Sequence, residues 1–232
     1  MSYPMKIIVD ALGSFSLAAQ QNAYPLINSL RLEYIESEGA LESDKKMPLK
    51  KLKVVLQPIS GWIEGEEWFV DSILPGQMVS LPKRELKLPF DTLFGLTEEI
   101  ALNLQFDVFA DDGYRLASSS ATVAILPANY WGGESRQPDL LAAFVKPNGV
   151  YVESLLRQVT DLLEQTGHGR KIDGYQSNTR EKPYMMLAAL WNVVFNQQLA
   201  YVSPPQGFAR SGQRIRLAAD ISNAKISACL DT

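Results

Sequence analysis

The chain has 232 residues, 46% of them hydrophobic and 21% charged, which is enough for one large domain or two modest ones with ordinary packed cores. Its net charge of −4 gives no electropositive groove for nucleic acid, and a single cysteine excludes an intramolecular disulfide framework and fits a reducing compartment. Met1 to Leu12 lacks a signal-peptide pattern, and no apolar run approaches the roughly 18 residues of a membrane span, so the expectation is a soluble, cytoplasmic protein.

From Lys6 to Leu126 apolar residues recur with period two. Ile7 and Val9 open the pattern, and Leu30, Leu32 and Tyr34 continue it. Lys45, Lys46, Lys50, Lys51 and Lys53 then cluster, but Glu and Asp flank them, and they read as a solvated loop and strand edge. Leu52, Val54 and Leu56 alternate next, followed by Trp68 and Val70. The clearest run is Ile100, Leu102, Leu104, Phe106 and Val108, with Val123 and Ile125 after it. Such alternation turns one face of a strand to a core and the other to water or a second layer.

The punctuation agrees. Pro75-Gly76 has the residue types of a tight turn, and Asp111-Asp112-Gly113 those of a hairpin. Asp91 to Leu96 is predicted to form a helical turn. Seven or eight short strands separated by such turns predict an antiparallel β-sandwich over residues 1–127, without the cysteine pair of antibody domains. Ile73 to Val79, with its Leu-Pro-Gly, also resembles a turn of bacterial immunoglobulin-like modules. Glu64, Glu66 and Glu67 lack His, Cys or regular ligand spacing and are read as loop carboxylates, with no metal site assigned. Trp62 and Trp68 are read as core or edge packing. This half is expected to be an interaction or spacer module.

Pro127 to Gly133 ends the strand pattern, and the domain boundary is drawn there, with residues 128–232 mainly helical. Pro138 suits the first turn of a short helix to about Val145. Val152, Leu155, Leu156, Val159, Leu162 and Leu163 give one apolar helical face, with Asn148 as cap and Gly167 at the C-terminal end. After a loop around Asp173 to Ser177, Pro183 opens a helix from about Tyr184 to Tyr201 that is apolar nearly all round. Burial at the domain centre is the expectation for it, with Trp191 and Phe195 in core contacts. Ser203-Pro204-Pro205 stops that helix, and Gln206 to Arg216 carries little local signal. The lone histidine, His168, sits between glycines and reads as an exposed loop residue rather than a catalytic base.

Cys229 admits two readings. A lone cysteine is commonly a small buried hydrophobe. At a helix N-terminus, unpaired backbone N–H groups favour the thiolate and make it a candidate nucleophile, which then needs a histidine base and an orienting acid. Residues 1–232 complete no such triad.

Several ordered motifs carry a resemblance. They are Trp131-Gly132-Gly133, Leu140 to Asn148, Asp173-Gly174-Tyr175-Gln176, Tyr201 to Pro205, Ser211 to Arg216 and Ala228-Cys229-Leu230-Asp231. Together they resemble the N-terminal region of the large bacterial DNA-helicase-related proteins. That resemblance implies an immunoglobulin-like sandwich followed by the first half of a transglutaminase-like (papain-like) domain, ahead of a superfamily-one helicase and often an endonuclease. By position Cys229 matches the cysteine opening the central helix of that domain, whose histidine and acidic partners lie farther along. Ser227-Ala228 stands where the family has an alanine–threonine pair, which leaves a structural role for Cys229 open. ATP and Mg belong, on this resemblance, to a downstream helicase whose phosphate-binding loop and acidic metal site are not in this chain.

The function expected is therefore that of a non-motor, docking or sensing fragment of a longer protein, with no cofactor and no complete active site of its own. Its partners would be the remainder of the polypeptide and a protein bound through the sandwich, with DNA reached only through downstream domains and no membrane contact. The alternatives are part of a cysteine-dependent acyl-transfer enzyme and a stand-alone interaction adaptor.

Overall fold

A computed structural model describes residues 5–36, 47–204, 206–228 and 230–231. The chain is mixed α and β and divides into two compact units, residues 1–130 and 131–232.

The first unit holds strands β1 (Met5–Ala11), β2 (Ser14–Phe15), β3 (Ile27–Tyr34), β4 (Leu49–Leu56), β5 (Glu66–Ile73), β6 (Met78–Ser80), β7 (Ile100–Phe109) and β8 (Arg115–Ile125). Two short helices, α1 (Leu17–Gln21) and α2 (Phe90–Gly95), interrupt them. One sheet runs β1-β3-β6 and the other β2-β8-β7-β4-β5. Every pairing is antiparallel except the short β2–β8 contact. The period-two residues explain the register. Val54 sits opposite Val108 and Trp68, and Leu102 opposite Val123, so each row on the inner face is apolar. Leu32, Val54, Leu104, Phe106 and Ile125 are fully buried there. Because side chains alternate, a one-residue slip would expose an entire row, and this pins the pairing.

The turns close where the sequence placed them. Gln77 N–H donates to the Leu74 carbonyl at 3.0 Å around Pro75-Gly76, and Gly113 N–H donates to Ala110 at 3.0 Å in the β7–β8 hairpin. The helix at residues 90–95 begins one residue before the predicted turn. Helix α1 was not predicted. Its signal is Ser16, whose hydroxyl accepts from Ala19 N–H at 3.2 Å, an N-cap ahead of a short Leu-Ala-Ala run. Trp68 is buried, donates from Nε1 to the Pro82 carbonyl at 2.8 Å and tilts against Phe106. Lys51 and Lys53 form exposed ion pairs with Asp111 and Glu67, whereas Lys45 and Lys46 lie outside the described residues.

The second unit begins with β9 (Tyr130–Trp131) and a 3-10 segment (Pro138–Phe144) that carries Pro138 in its first turn. Helix α3 (Val150–Gln165) follows, then a 3-10 turn (Gly174–Ser177) and helix α4 (Glu181–Phe195). Gly149, not Asn148, occupies the N-cap of α3. Helix α4 stops at Phe195, well before Tyr201, because the chain turns at Asn196 and enters β10 (Ala200–Tyr201). The stretch with little sequence signal folds into α5 (Phe208–Ser211) and β11 (Gln213–Arg214), followed by α6 (Ala218–Ala224) and β12 (Ile226–Ser227). Elements of two to seven residues are too short to carry a readable period.

Helices α3 and α4 pack through a core of Val159, Leu163, Ala189 and Val193, with Leu155, Leu162, Met185 and Met186 around it. The expected burial of α4 on all sides is corrected here. Only that one face is covered, and Trp191 and Phe195 are 73% and 72% exposed rather than in the core.

Candidate functional site

Most of the stretches that carry the resemblance meet at two places in the second unit, whereas Asp173 to Gln176 packs against α4 instead. At the first, Trp131-Gly132-Gly133 lies against Arg210 to Gly212. A Cβ on Gly133 would overlap the Arg210 carbonyl, and one on Gly212 would overlap the Trp131 carbonyl and Gly132. Both glycines also have positive φ, +87 and +92. Only residues without side chains permit this approach. Glu134 N–H donates to the Ala209 carbonyl at 2.7 Å, and the Ser135 hydroxyl donates to Arg210. Trp131 is buried and donates from Nε1 to the Gln137 carbonyl at 3.1 Å. β11 pairs with β9 across this contact. The arrangement is structural, since every polar group named is spent on the backbone.

The second place is where the chain after β12 folds back on itself, with Asp231 bonded to Ala228. Cys229 itself, the candidate nucleophile, is outside the described residues. Its neighbours define the setting. Strand β12 lies parallel to β10 and delivers Ser227 and Ala228, both buried. Asp231 N–H donates to the Ala228 carbonyl at 3.0 Å. The Asp231 carboxylate reaches back, and its Oδ2 accepts from Ala228 N–H at 2.7 Å. A carboxylate that takes the N–H three residues before it makes the same contact as the return bond of a capping box, although among the described residues no helix is formed here. Oδ1 accepts from Arg216 N–H at 2.8 Å, while the Arg216 guanidinium donates to Oδ2 at 3.0 Å.

The Asp231 side chain is fully covered and that of Arg216 is 23% exposed. A buried carboxylate is tolerated only when its charge and lone pairs are met, and three N–H donors meet them here. Asp231 is consequently committed to holding the turn. Because Arg216 takes up its charge, it is not a free general base.

Beside this turn opens a cavity of about 450 Å3, lined by Leu141, Phe144, Val152, Ile215 and Leu217 with Arg216 and Asp231 at its edge. Its size falls within the range of small-molecule sites, and its walls are apolar.

His168 stands in the α3–α4 loop, half-buried. Its N–H donates to the Leu163 carbonyl at 2.8 Å, and its carbonyl accepts from Lys182 Nζ at 3.1 Å. Nearby, Glu164 first and then Asp161 hold the Arg170 guanidinium, raising its pKa above the usual value.

In the first unit a cavity of about 660 Å3 is bordered by Trp62, Ile63, Leu86 and Leu88 with Glu64 and Glu66. Glu66 and Glu67 stand at the start of β5 rather than in a loop, facing Arg84 at 4.0 Å and Lys53 at 3.2 Å. Among the described residues no group of three or more acidic, His or Cys side chains converges for a metal ion.

The surface feature that the sequence pattern did not reveal is the outer face of α4. Tyr184, Leu187, Trp191 and Phe195 are 70%, 66%, 73% and 72% exposed, and Ala188 lies among them. A signal for it exists in the sequence, because no charged residue occurs between Lys182 and Arg210. No helix among the described residues is long and apolar enough to cross a membrane. Folded proteins seldom leave contiguous apolar surface of this kind uncovered. No protein-family model matches the chain, and no curated protein matches it either.

Proposed function

We infer that this chain is the front, non-motor region of a larger DNA-helicase-related protein, and that it docks rather than catalyses. The observation that carries the docking role is the uncharged, solvent-facing apolar surface of α4, which a module of purely internal purpose would have covered or charged. The strand orders β1-β3-β6 and β2-β8-β7-β4-β5 favour an immunoglobulin-like sandwich for the first unit, with the short β2 edge running alongside β8. For the second unit, the meeting of Gly133 with Gly212 and the capped turn after β12 favour the start of a transglutaminase-like domain. ATP, Mg and DNA are then business of the motor that follows in the same polypeptide.

The test is the reading frame after codon 232. A Gly-rich segment ending Gly-Lys-Ser or Gly-Lys-Thr is expected there, and a frame without one removes the helicase assignment. Removing residues 1–232 from the full protein should leave its DNA-dependent ATP hydrolysis intact.

A second reading, cysteine-dependent acyl transfer by the full protein, is favoured by Asp231, whose carboxylate ties the Ala228 N–H, just ahead of Cys229, to the Arg216 N–H. Histidine and acidic partners would come from downstream. In the full-length protein Cys229 would then titrate well below the ~8.5 of an ordinary thiol, and a value near that figure would leave Cys229 a structural residue.

A further inference from the structure

We propose that two copies of this chain pair through α4, antiparallel, so that the docking region is a dimerisation element. The proposal rests on the docking reading above and names its partner. Tyr184, Ala188, Trp191 and Phe195 are spaced by four, three and four residues, the a/d spacing of a helix–helix seam, and all four are exposed. The buried residues Ala189 and Val193 lie on the opposite side, so Ala188, Trp191 and Phe195 face away from the α3 contact, while Tyr184 borders a groove shared with Leu156 of α3.

The seam is complementary to itself. A two-fold axis between Ala189 and Leu190 sets Tyr184 against Phe195 of the second copy and the small Ala188 against the large Trp191. Large-into-small pairing of this kind is what a knob needs from its hole, and a C2 contact must use one patch twice. Antiparallel helices also bring opposite dipole ends together. Glu181 and Lys182 would lie beside the uncharged Asn196, Gln197 and Gln198, so no like charges meet.

Area decides the strength. An aromatic side chain presents roughly 150–250 Å2, so three of them at 70–73% exposure together with Leu187 leave roughly 500 Å2 per copy. The pair would bury roughly 1,000 Å2, the lower bound for a specific interface. The dimer is therefore concentration-dependent rather than obligate. A membrane surface is the weaker match for the same face, because helices that lie on anionic lipid flank their apolar side with Lys and Arg, and α4 has none after Lys182.

Sedimentation equilibrium of the 232-residue chain tests this. The weight-average mass should climb from 25.8 kDa toward double that value as concentration rises. Trp191→Asp should hold it at the single-chain mass with an unchanged circular dichroism spectrum, and Trp191→Phe should restore association.

In a Cys229→Ser background, chains bearing Tyr184→Cys should cross-link to chains bearing Phe195→Cys. Self-linking of Tyr184→Cys alone would mean a parallel pair and would overturn the register proposed, since in the antiparallel pair the two Tyr184 sites stand roughly 16 Å apart along the axis. A single-chain mass at every concentration would overturn the dimer altogether. In that event, binding of a hydrophobic dye that Trp191→Asp abolishes would leave docking to another protein standing. Trp191 emission that shifts blue on neutral lipid vesicles would give the face to a membrane, and neither response would remove the docking reading as well.

Discussion

Gly212 and Asp231 do their work through what they exclude and what they gather. Gly212→Ala would force a side chain into the Trp131 carbonyl at a φ of +92, which adds steric overlap to left-handed strain. A loss of about 3 kcal/mol in the stability of the second unit is expected, measured by denaturant unfolding with fluorescence of Trp131 and Trp191 as the probe. Asp231→Ala leaves Arg216 and two backbone N–H groups without their acceptor in a largely covered site, a loss of about 2 kcal/mol. Asp231→Asn keeps an acceptor oxygen and should cost less, so the difference between the two variants reads that retained acceptor, and the cost of Asp231→Asn against the parent reads the lost charge and the second oxygen. A cost below about 0.5 kcal/mol for Asp231→Ala would contradict the role given to its carboxylate. The close approach of Gly133 and Gly212 was not legible from the chain, because the two glycines are distant in sequence and each alone looks like an ordinary turn residue. The Asp231 link to Arg216 was hidden for the same reason, although the spacing from Ala228 to Asp231 carries the local half of the signal.

Helices and strands differed in how plainly the residues announced them. Strand β7 reads directly from Ile100 to Val108 because one face is buried and the other is polar, so periodicity and burial carry the same information. Helix α3 reads equally well from its stripe of Val159, Leu162 and Leu163. In α4 the local pattern gives the helix but not its surroundings. An all-round apolar sequence states that some surface must be covered, not what covers it, and here only the Ala189–Val193 side meets α3. The two sides of α4 should consequently respond differently to truncation. Val193→Ala removes buried methyl groups between α3 and α4 and should lower stability by about 1–2 kcal/mol. Leu187→Ala, at a position 66% exposed, should change monomer stability by less than about 0.5 kcal/mol. Comparable losses at both positions, measured below the association range, would mean that the outer face is packed within a single chain.

Two compact units, each with its own core, predict separable responses to damage. Leu104 is fully buried between the sheets of the first unit. Leu104→Ala should destabilise that unit by about 3 kcal/mol while amide exchange in α3 and α4 stays as in the parent chain. Uniform loss of protection across both units would show that they unfold as one. The strand pattern of residues 1–127 made the first unit's strands readable but not their order, since only β4–β5 and β7–β8 among its pairings join consecutive strands. The second unit was readable only as two long helices and the short segment from Pro138, because its remaining elements are stitched by contacts that have no local signature.

The meshing of Gly133 with Gly212 also bears on the order in which the second unit is made. Its two sides are the opening and nearly the last part of that unit, and everything between them includes both long helices. Local contacts form first and distant ones pay the entropy of closing the intervening chain. Helices α3 and α4 are thus free to pair while the polypeptide is still being extended. The backbone of Trp131 to Gly133 has nothing to mesh with until Arg210 to Gly212 have left the ribosome, so this contact closes only after both helices exist.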